Sequence, residues 1–358
     1  MDLSGSVLEE ERMSTPRKRA TIADIAHRVG VSKAAVSFAL NDRPGVSAEL
    51  RDRVLAVAAE LRYRPNSAAL ALGRSRVDVI GLVINRPART LGTEAFFPEL
   101  MAGIQAGLSE THTGLQTLVV SSLEEELAAY STWQATQRVD GVIVVDPRRD
   151  DARIALLAEL DLPAVQIGSH PSTDAAIPSV WIDDHAVATA LFETLFDLGH
   201  RRVAHVTGPL DFEHTELRRS ALSECARRYD APPPMSIETD YSAEQSAEAT
   251  RALLGGDERP TALVYDNDVM ALAGLRVAQE FGVPVPAAVS VASFDDSIAM
   301  RLVRPSITAL TRDTYALGEL AARTLMEVIG SDAPVASVAA APPALSARES
   351  TAPANAST

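Results

Sequence analysis

Small and apolar residues recur at spacings of three and four over residues 21–61, whereas from Val77 onward short β-rich apolar runs alternate with longer amphipathic stretches. The first pattern predicts three helices. Thr21 can cap a helix over residues 22–27, with Asp24 in the reciprocal capping position. Val29, Gly30 and Val31 make a tight connection, in which Gly30 is free to take a positive φ. Ser32 caps a second helix that runs to about Asn41 and is stopped by "NDRPG". Ser47 caps a third, to about Leu61, with Leu50, Val54, Val57, Ala58 and Leu61 on one side. Ala26 is small where the second helix must cross, and Val31 and Val36 fill the angle between the two. That spacing is the one a helix-turn-helix requires, rather than that of a generic helical hairpin. Beyond Tyr63 and Pro65, Asn66 can cap a helix over residues 66–73, too short to hold its shape alone. Composition leaves a plain linker equally open there.

The second pattern predicts an α/β body. "VDVIGLVI", "LQTLVVSS", "GVIVVDP", "PAVQIG", "SVWID", "RRVAHVTG", "TALVYDN", "VSVASFDD" and "SITALTRD" read as strands, with segments such as "AVATALFETLFDLGH" and "NDVMALAGLRVAQEFG" as the intervening helices. Continuous apolar strands alternating with helices indicate parallel sheets covered on both faces. So many strands divide naturally into two lobes. Ligands of such folds bind outside the carboxyl ends of the strands, so the polar residues that end the apolar runs are candidates: Asn85, Asp146, Asp183, Asn267, Asp295, Asp296 and Arg312.

Charge sharpens this division. The net charge is −15, yet residues 14–76 hold 12 Lys/Arg against 5 Asp/Glu. A small basic unit is joined to a large acidic body, and the local sign is what a polyanion feels. Arg17, Lys18, Arg19, Arg51, Arg53, Arg62 and Arg64 flank the helices and are candidates for phosphate contact. The one cysteine, Cys225, excludes an internal disulfide and a Cys-based zinc site, and reads as a packing residue in a reducing compartment. "MDLSGSVLEEE" lacks the basic and apolar regions of a secretory signal, and no run approaches membrane-spanning length, so a soluble cytoplasmic protein is expected. No phosphate loop, nucleophile elbow or paired-His spacing is present. The expectation is a non-enzyme with no metal and no cofactor.

The stretch from "ATIADIAHRVGVSKAAVSFALNDRPGVS" to "RVDVIGLV" resembles, without insertion, the N-terminal region of the LacI/GalR family of bacterial transcriptional regulators. The resemblance implies that the second helix enters the DNA major groove. Lys33, Ala34 and Phe38 would face base edges, with Ser32 and Ser37 near phosphates, and Thr21, Asn41, Asn66 and Ala69 would complete the DNA contacts. Residues 66–73 would be the family's hinge helix, with Leu72 wedged into the minor groove. Ala34 and Phe38 offer only apolar contact to thymine methyls, which leaves Lys33 as the guanine reader.

The body resembles the family's effector domains, related to periplasmic sugar-binding proteins. This implies that Arg218, Asn267 and Asp295 hold the effector, with Phe96 and Phe97 packed against it. Gly168 stands where some members carry an effector-binding aspartate, and Arg312 where some have glutamine. Those two departures suggest a more anionic ligand.

The expected organisation is therefore an N-terminal arm (1–18, disordered), a helix-turn-helix domain (19–64), a hinge helix and linker (65–76), and a two-lobed effector and dimerisation domain (77–350), with a disordered tail (351–358). The first lobe is expected to comprise about 77–177 plus 308–328, and the second 179–307 plus 340–350. The expected function is a repressor, homodimeric on a pseudo-palindromic operator and controlled by a sugar or sugar derivative. A corepressor-dependent purine-type regulator and a solute-binding protein are the alternatives. The residues after 350 carry no heptad, so no coiled-coil tetramer is expected.

Overall fold

The computed structural model describes residues 20–41, 43–63, 76–87, 91–168 and 176–355. Two compact units divide at Ser75 and Arg76. The expected arm and hinge helix, with Asn66, Ala69 and Leu72, lie outside the described residues.

In the first unit, α1 (Ile22–Val29) opens on a complete capping box: Thr21 Oγ1 accepts from Asp24 N (3.4 Å), and Asp24 accepts from Thr21 N (2.8 Å). The helix runs past residue 27 to Val29, where Gly30 at φ 79° ends it and donates to the Ala26 carbonyl. Only glycine adopts that backbone at no steric cost. Ser32 caps α2 (Lys33–Leu40) by accepting from Ala35 N, and Ser47 caps α3 (Ala48–Glu60) by accepting from Leu50 N. Ile25, Ala26, Val29, Val36, Ala39, Val54 and Ala58 form the shared core.

In the second unit, the first lobe is a six-stranded sheet. Its strands are β1 (Val79–Asn85), β2 (Gly114–Val120), β3 (Gly141–Val144), β4 (Ala164–Gly168), β5 (Ser179–Trp181) and β11 (Val338–Ala339), in the order β11-β5-β4-β3-β1-β2, all parallel. Helices α4 (Phe96–Leu108) and α12 (Thr314–Gly330) bury one face, and α5 (Leu123–Ala135) and α6 (Ala152–Glu159) the other.

The second lobe has β6 (Val203–Thr207), β7 (Met235–Glu238), β8 (Ala262–Tyr265), β9 (Ser290–Ser293), β10 (Thr308–Thr311) and β12 (Ala344–Ser346), in the order β12-β10-β9-β8-β6-β7. Only β12 is antiparallel, so this sheet is not purely parallel. Its faces are covered by α7 (Asp184–Asp197) with α8 (Glu213–Arg228), and by α9 (Ala243–Gly255), α10 (Asp268–Glu280) and α11 (Ile298–Leu302). Cys225 is buried in that core.

Three expected boundaries shift. Residues 179–181 belong to the first sheet, 308–311 to the second, and the short β11 returns to the first. The chain changes lobe at the end of a strand, where Asp183 and Asp313 cap α7 and α12 (2.9 and 2.8 Å to Ala186 N and Ala316 N). The strand therefore stays with the sheet behind it. Residues 351–355 form a strap on the second lobe rather than a disordered tail. The Ala352 carbonyl bonds His200 Nε2 (3.1 Å), Ala354 N donates to the Leu198 carbonyl (2.8 Å), and Asn355 donates to that of Ala287 (2.5 Å). Among the described residues no helix is long and apolar enough to cross a membrane.

Candidate functional site

On the small unit, α2 presents an outer face. Lys33, Ala34 and Phe38 are exposed and Ser37 is half-buried, opposite the buried Val36 and Ala39. Phe38 keeps 40% of its surface in water. Asn41 donates to the Ser37 carbonyl (2.8 Å). Ser32, expected near phosphate, spends its oxygen as an acceptor on the end of α2 and keeps its hydroxyl donor, whereas the Thr21 hydroxyl both accepts from Asp24 N and donates to the Asp24 carboxylate (2.7 Å). Of the flanking cations, Arg53 also ties α3 to the end of α1 through the Val29 carbonyl (3.0 Å).

In the large unit, the carboxyl ends of both sheets meet across a cavity of about 90 Å³. Of the residues expected there, Phe96, Phe97, Arg218, Asn267, Asp295 and Arg312 line it. Asn85 does not: with its amide oxygen turned to Arg148 (3.2 Å) and Leu123 N (3.3 Å), it serves the start of α5 instead. Phe97, 1% exposed, belongs mainly to the first lobe's core, and Phe96 meets it edge-on at 5.3 Å.

The polar groups form two ion clusters. In the first lobe Arg86, which follows β1, pairs with Asp146 (2.8 Å) and approaches Glu94 (3.8 Å), while its guanidinium lies 4.4 Å from the Tyr241 ring centroid in the second lobe. Asp146 sits in the left-handed region (φ 52°). Its carbonyl and that of Val145 accept from the buried Arg153, which is neutralised by Glu126 and Asp151. Arg153 thus fixes the turn that aims Asp146 at Arg86. In the second lobe Asp266, which follows β8, accepts from Arg218 (2.8 Å), His205 (2.9 Å) and Gly208 N (2.7 Å); Arg218 also reaches Asp184 (3.5 Å) and lies over Phe294. Arg312 pairs with Asp295 (3.4 Å). Between the lobes Asn267 donates to Glu94 (2.9 Å) while its oxygen caps α10 at Met270 N (2.8 Å), and Arg148 of the first lobe pairs with Asp211 of the second.

These contacts set the charges. Burial raises the Glu94 carboxyl to about 7, with Arg86 opposing and Asp146, Asp295 and Asp268 adding to the rise. Burial also raises Asp268. His214, bonded to the Tyr241 hydroxyl (2.8 Å), is lowered by burial and by Arg218, and so is neutral near pH 7. Burial would raise Asp266, but His205 and Arg218 outweigh it and hold the carboxyl far below the usual range.

Two expectations change here. No side chain fits at Gly168: an added Cβ would lie 2.4 Å from Pro147 Cγ, so the wall is closed by proline packing, not by a missing acid. Arg312 is neutralised by Asp295, and six carboxylates line the cavity against three guanidiniums. The inference toward an anionic ligand therefore loses its basis. Arg86, Glu94, Asp184, His214, Tyr241, Asp266 and Asp268 were not among the predicted residues; Asp266 and Asp268 flank Asn267 in "YDND", a signal that could have drawn them in.

Comparison with known proteins matches residues 21–66 to "Bacterial regulatory proteins, lacI family" and residues 192–351 to "Periplasmic binding protein-like domain". The HTH-type transcriptional regulator CelR of Thermobifida fusca is 31% identical over 323 residues, covering 87% of this chain and 93% of that protein. The chain belongs to the LacI family of bacterial regulatory proteins. It is a transcriptional regulator and not an enzyme. Among LacI-family structures, the lac repressor dimer bound to operator and the anti-inducer ONPF superposes with a TM-score of 0.79 (27% identity, 94% of this chain and 100% of that one). The complex of CelR with cellobiose superposes at 0.69 (28% identity, 93% and 100%).

Proposed function

We propose that this LacI-family repressor reads its operator with the outer face of α2, and that a sugar or sugar derivative bound in the interlobe cleft releases it from DNA. The observation that carries this is the cleft: fourteen charged, aromatic or amide-bearing side chains at the carboxyl ends of two sheets converge on one small cavity. Each lobe supplies part of the lining, so a ligand touching both favours one lobe arrangement over another, which is the differential affinity that a switch requires. In α2, Lys33 is the guanine reader and Ala34 and Phe38 meet thymine methyls; Ser32, Ser37, Thr21 and Asn41, together with Asn66, Ala69 and the Leu72 wedge, complete the DNA contacts. The complex of CelR with cellobiose supports a carbohydrate effector. The cytoplasm is the compartment where such a protein meets its operator.

The test is operator binding by the purified protein, on DNA selected from random sequence, with sugars, sugar phosphates, sugar acids and nucleobases added in turn. Release by a carbohydrate is expected; tightening would establish a corepressor. Phe96→Ala and Arg312→Gln should leave operator affinity within about twofold and weaken the effector response about tenfold, since each removes one contact worth roughly 1–1.5 kcal/mol. An unchanged response in both would place the effector elsewhere.

The working species is a homodimer on a pseudo-palindromic site. Ile298 and Leu302 on α11 each leave 73% of their surface exposed. Ile298→Asp with Leu302→Asp should sediment as a monomer and lose at least about 100-fold in operator affinity, because the second headpiece no longer adds its contacts. A dimer that survives the double change would move the interface off α11.

A further inference from the structure

We propose that the effector carries an amino group on a small hydroxylated frame, with its ammonium held among Glu94, Asp268 and Asp295. This rests on the interlobe cleft being the effector site. Each guanidinium of the cleft already has a carboxylate: Arg86 has Asp146 (2.8 Å), Arg218 has Asp266 (2.8 Å) and Arg312 has Asp295 (3.4 Å). Asp184 lies against Arg218 as well. The remaining negative charge falls on Glu94, which shares Arg86 at 3.8 Å, and on Asp268, which has only neutral donors in Ser297 and the backbone amides; both are 5% exposed. Asp268 and Asp295 both push the Glu94 carboxyl upward, and Asp295 does the same to Asp268, so the three act on one another as like charges. Like charges in a buried site cost stability, and an amide at either position would relieve them; retaining both acids suits a site whose complement arrives from outside.

A second observation defines the rest of the ligand. Arg86 and Arg218 are more than nine-tenths buried, and their Nε–H groups have no hydrogen-bond acceptor among the described residues. Buried donors are normally satisfied, and hydroxyl oxygens would satisfy these. Phe96 and Tyr241 add ring surface for a C–H face. An anionic ligand would meet the surplus of acids. A neutral polyol would satisfy the guanidiniums but leave the acids uncompensated. A hydroxylated amine does both. It would also join the lobes, since Glu94 comes from the first lobe and Asp268 and Asp295 from the second, taking the place of the Glu94–Asn267 bond, one of the ties between them.

Protonation follows from this geometry. Glu94 is faced by Arg86, Asp146, Asn267, Asp268 and Asp295, and its proton must leave when an ammonium arrives. With that carboxyl near 7, amine affinity rises from pH 6 to 7.5 by up to about eightfold, whereas a neutral sugar shows no comparable gain.

Calorimetry on the full-length protein at pH 6.0 and 7.5 should compare glucosamine, galactosamine and mannosamine with glucose, galactose and mannose, and with glucuronate and galacturonate. The expected result is one amine at least tenfold tighter than its parent, strengthening with pH, and weakened tenfold or more in Glu94→Gln and Asp268→Asn. Without ligand, both variants should melt at or above the wild-type temperature at pH 7.5. The inference is overturned if no amine exceeds its parent, if a uronate binds best, or if both variants melt several degrees lower. A parent hexose that binds and loses affinity in Phe96→Ala would leave the cleft assignment standing while removing the amine. An effector whose affinity is untouched by Phe96→Ala and Arg312→Gln would remove the cleft assignment itself.

Discussion

Asp266→Ala should lower the stability of the effector domain by about 3–5 kcal/mol, measured by denaturant unfolding followed by circular dichroism. Asp266 is 1% exposed and accepts three hydrogen bonds, from Arg218, His205 and Gly208 N. Removing it leaves a buried guanidinium whose other carboxylate, Asp184, stands at 3.5 Å, and it strands an imidazole packed against Phe192 and Phe294. Breaking one side of a buried pair is costly because the other charge stays behind. Asp266→Asn keeps the shape and should lose less. Acid should separate the two proteins further. The folded-state pKa of Asp266 is depressed, so its contribution is complete above the unfolded value of about 3.9 and is lost as pH falls from there toward the folded value. Wild-type stability should therefore fall more steeply below pH 4 than that of Asp266→Asn. Parallel curves would show that Asp266 is not ionised in the folded state.

Ile25→Ala should abolish specific operator binding and leave the effector domain intact. Ile25 is fully buried in a core of seven residues that holds three short helices together. Truncating a buried isoleucine costs about 2–5 kcal/mol, which is comparable to the whole stability of a unit this small. Calorimetry should show loss of the headpiece transition with the larger transition unmoved, and fluorescence anisotropy should show only salt-sensitive, sequence-independent binding. Ile25→Val, at about 0.5–1.5 kcal/mol, should keep specific binding at low temperature. Retained specific binding by Ile25→Ala at 37 °C would show that DNA itself holds the headpiece folded.

The headpiece was the most legible part of the chain, because its determinants are local. Thr21 with Asp24, Ser32 and Ser47 satisfy helix-end amides within three residues, and Gly30 takes the positive φ that ends α1. The body's strands were legible where they are long and buried on both faces. β7, half-exposed at Met235–Glu238, and the two-residue β11 carried too little apolar pattern to be seen. The exposed edge strand β2 was found, but not its exposure, since Leu118 and Val119 read the same whether or not a neighbour covers them.

The candidate site divides in the same way. Asn267, Asp295 and Arg312 end strands and could be expected in the cleft from that alone. Arg218 came through its resemblance to the family, being a helical residue with no local mark. Glu94 and Asp184 gave no signal, because their roles are made by partners far away in the chain: Asn267 lies 173 residues from Glu94.

By itself the sequence determined the kinds of element, their caps and the split into a basic reader and an acidic two-lobed body, because periodicity, capping and charge act over a few residues. Only the tertiary structure decided which sheet each crossover strand joins, that Asn85 turns away from the cleft, that Arg312 is already neutralised and that the cavity carries a surplus of acid. Those outcomes depend on which distant groups share a buried space, and there the cost of an unpaired charge is set by neighbours that no local pattern reveals.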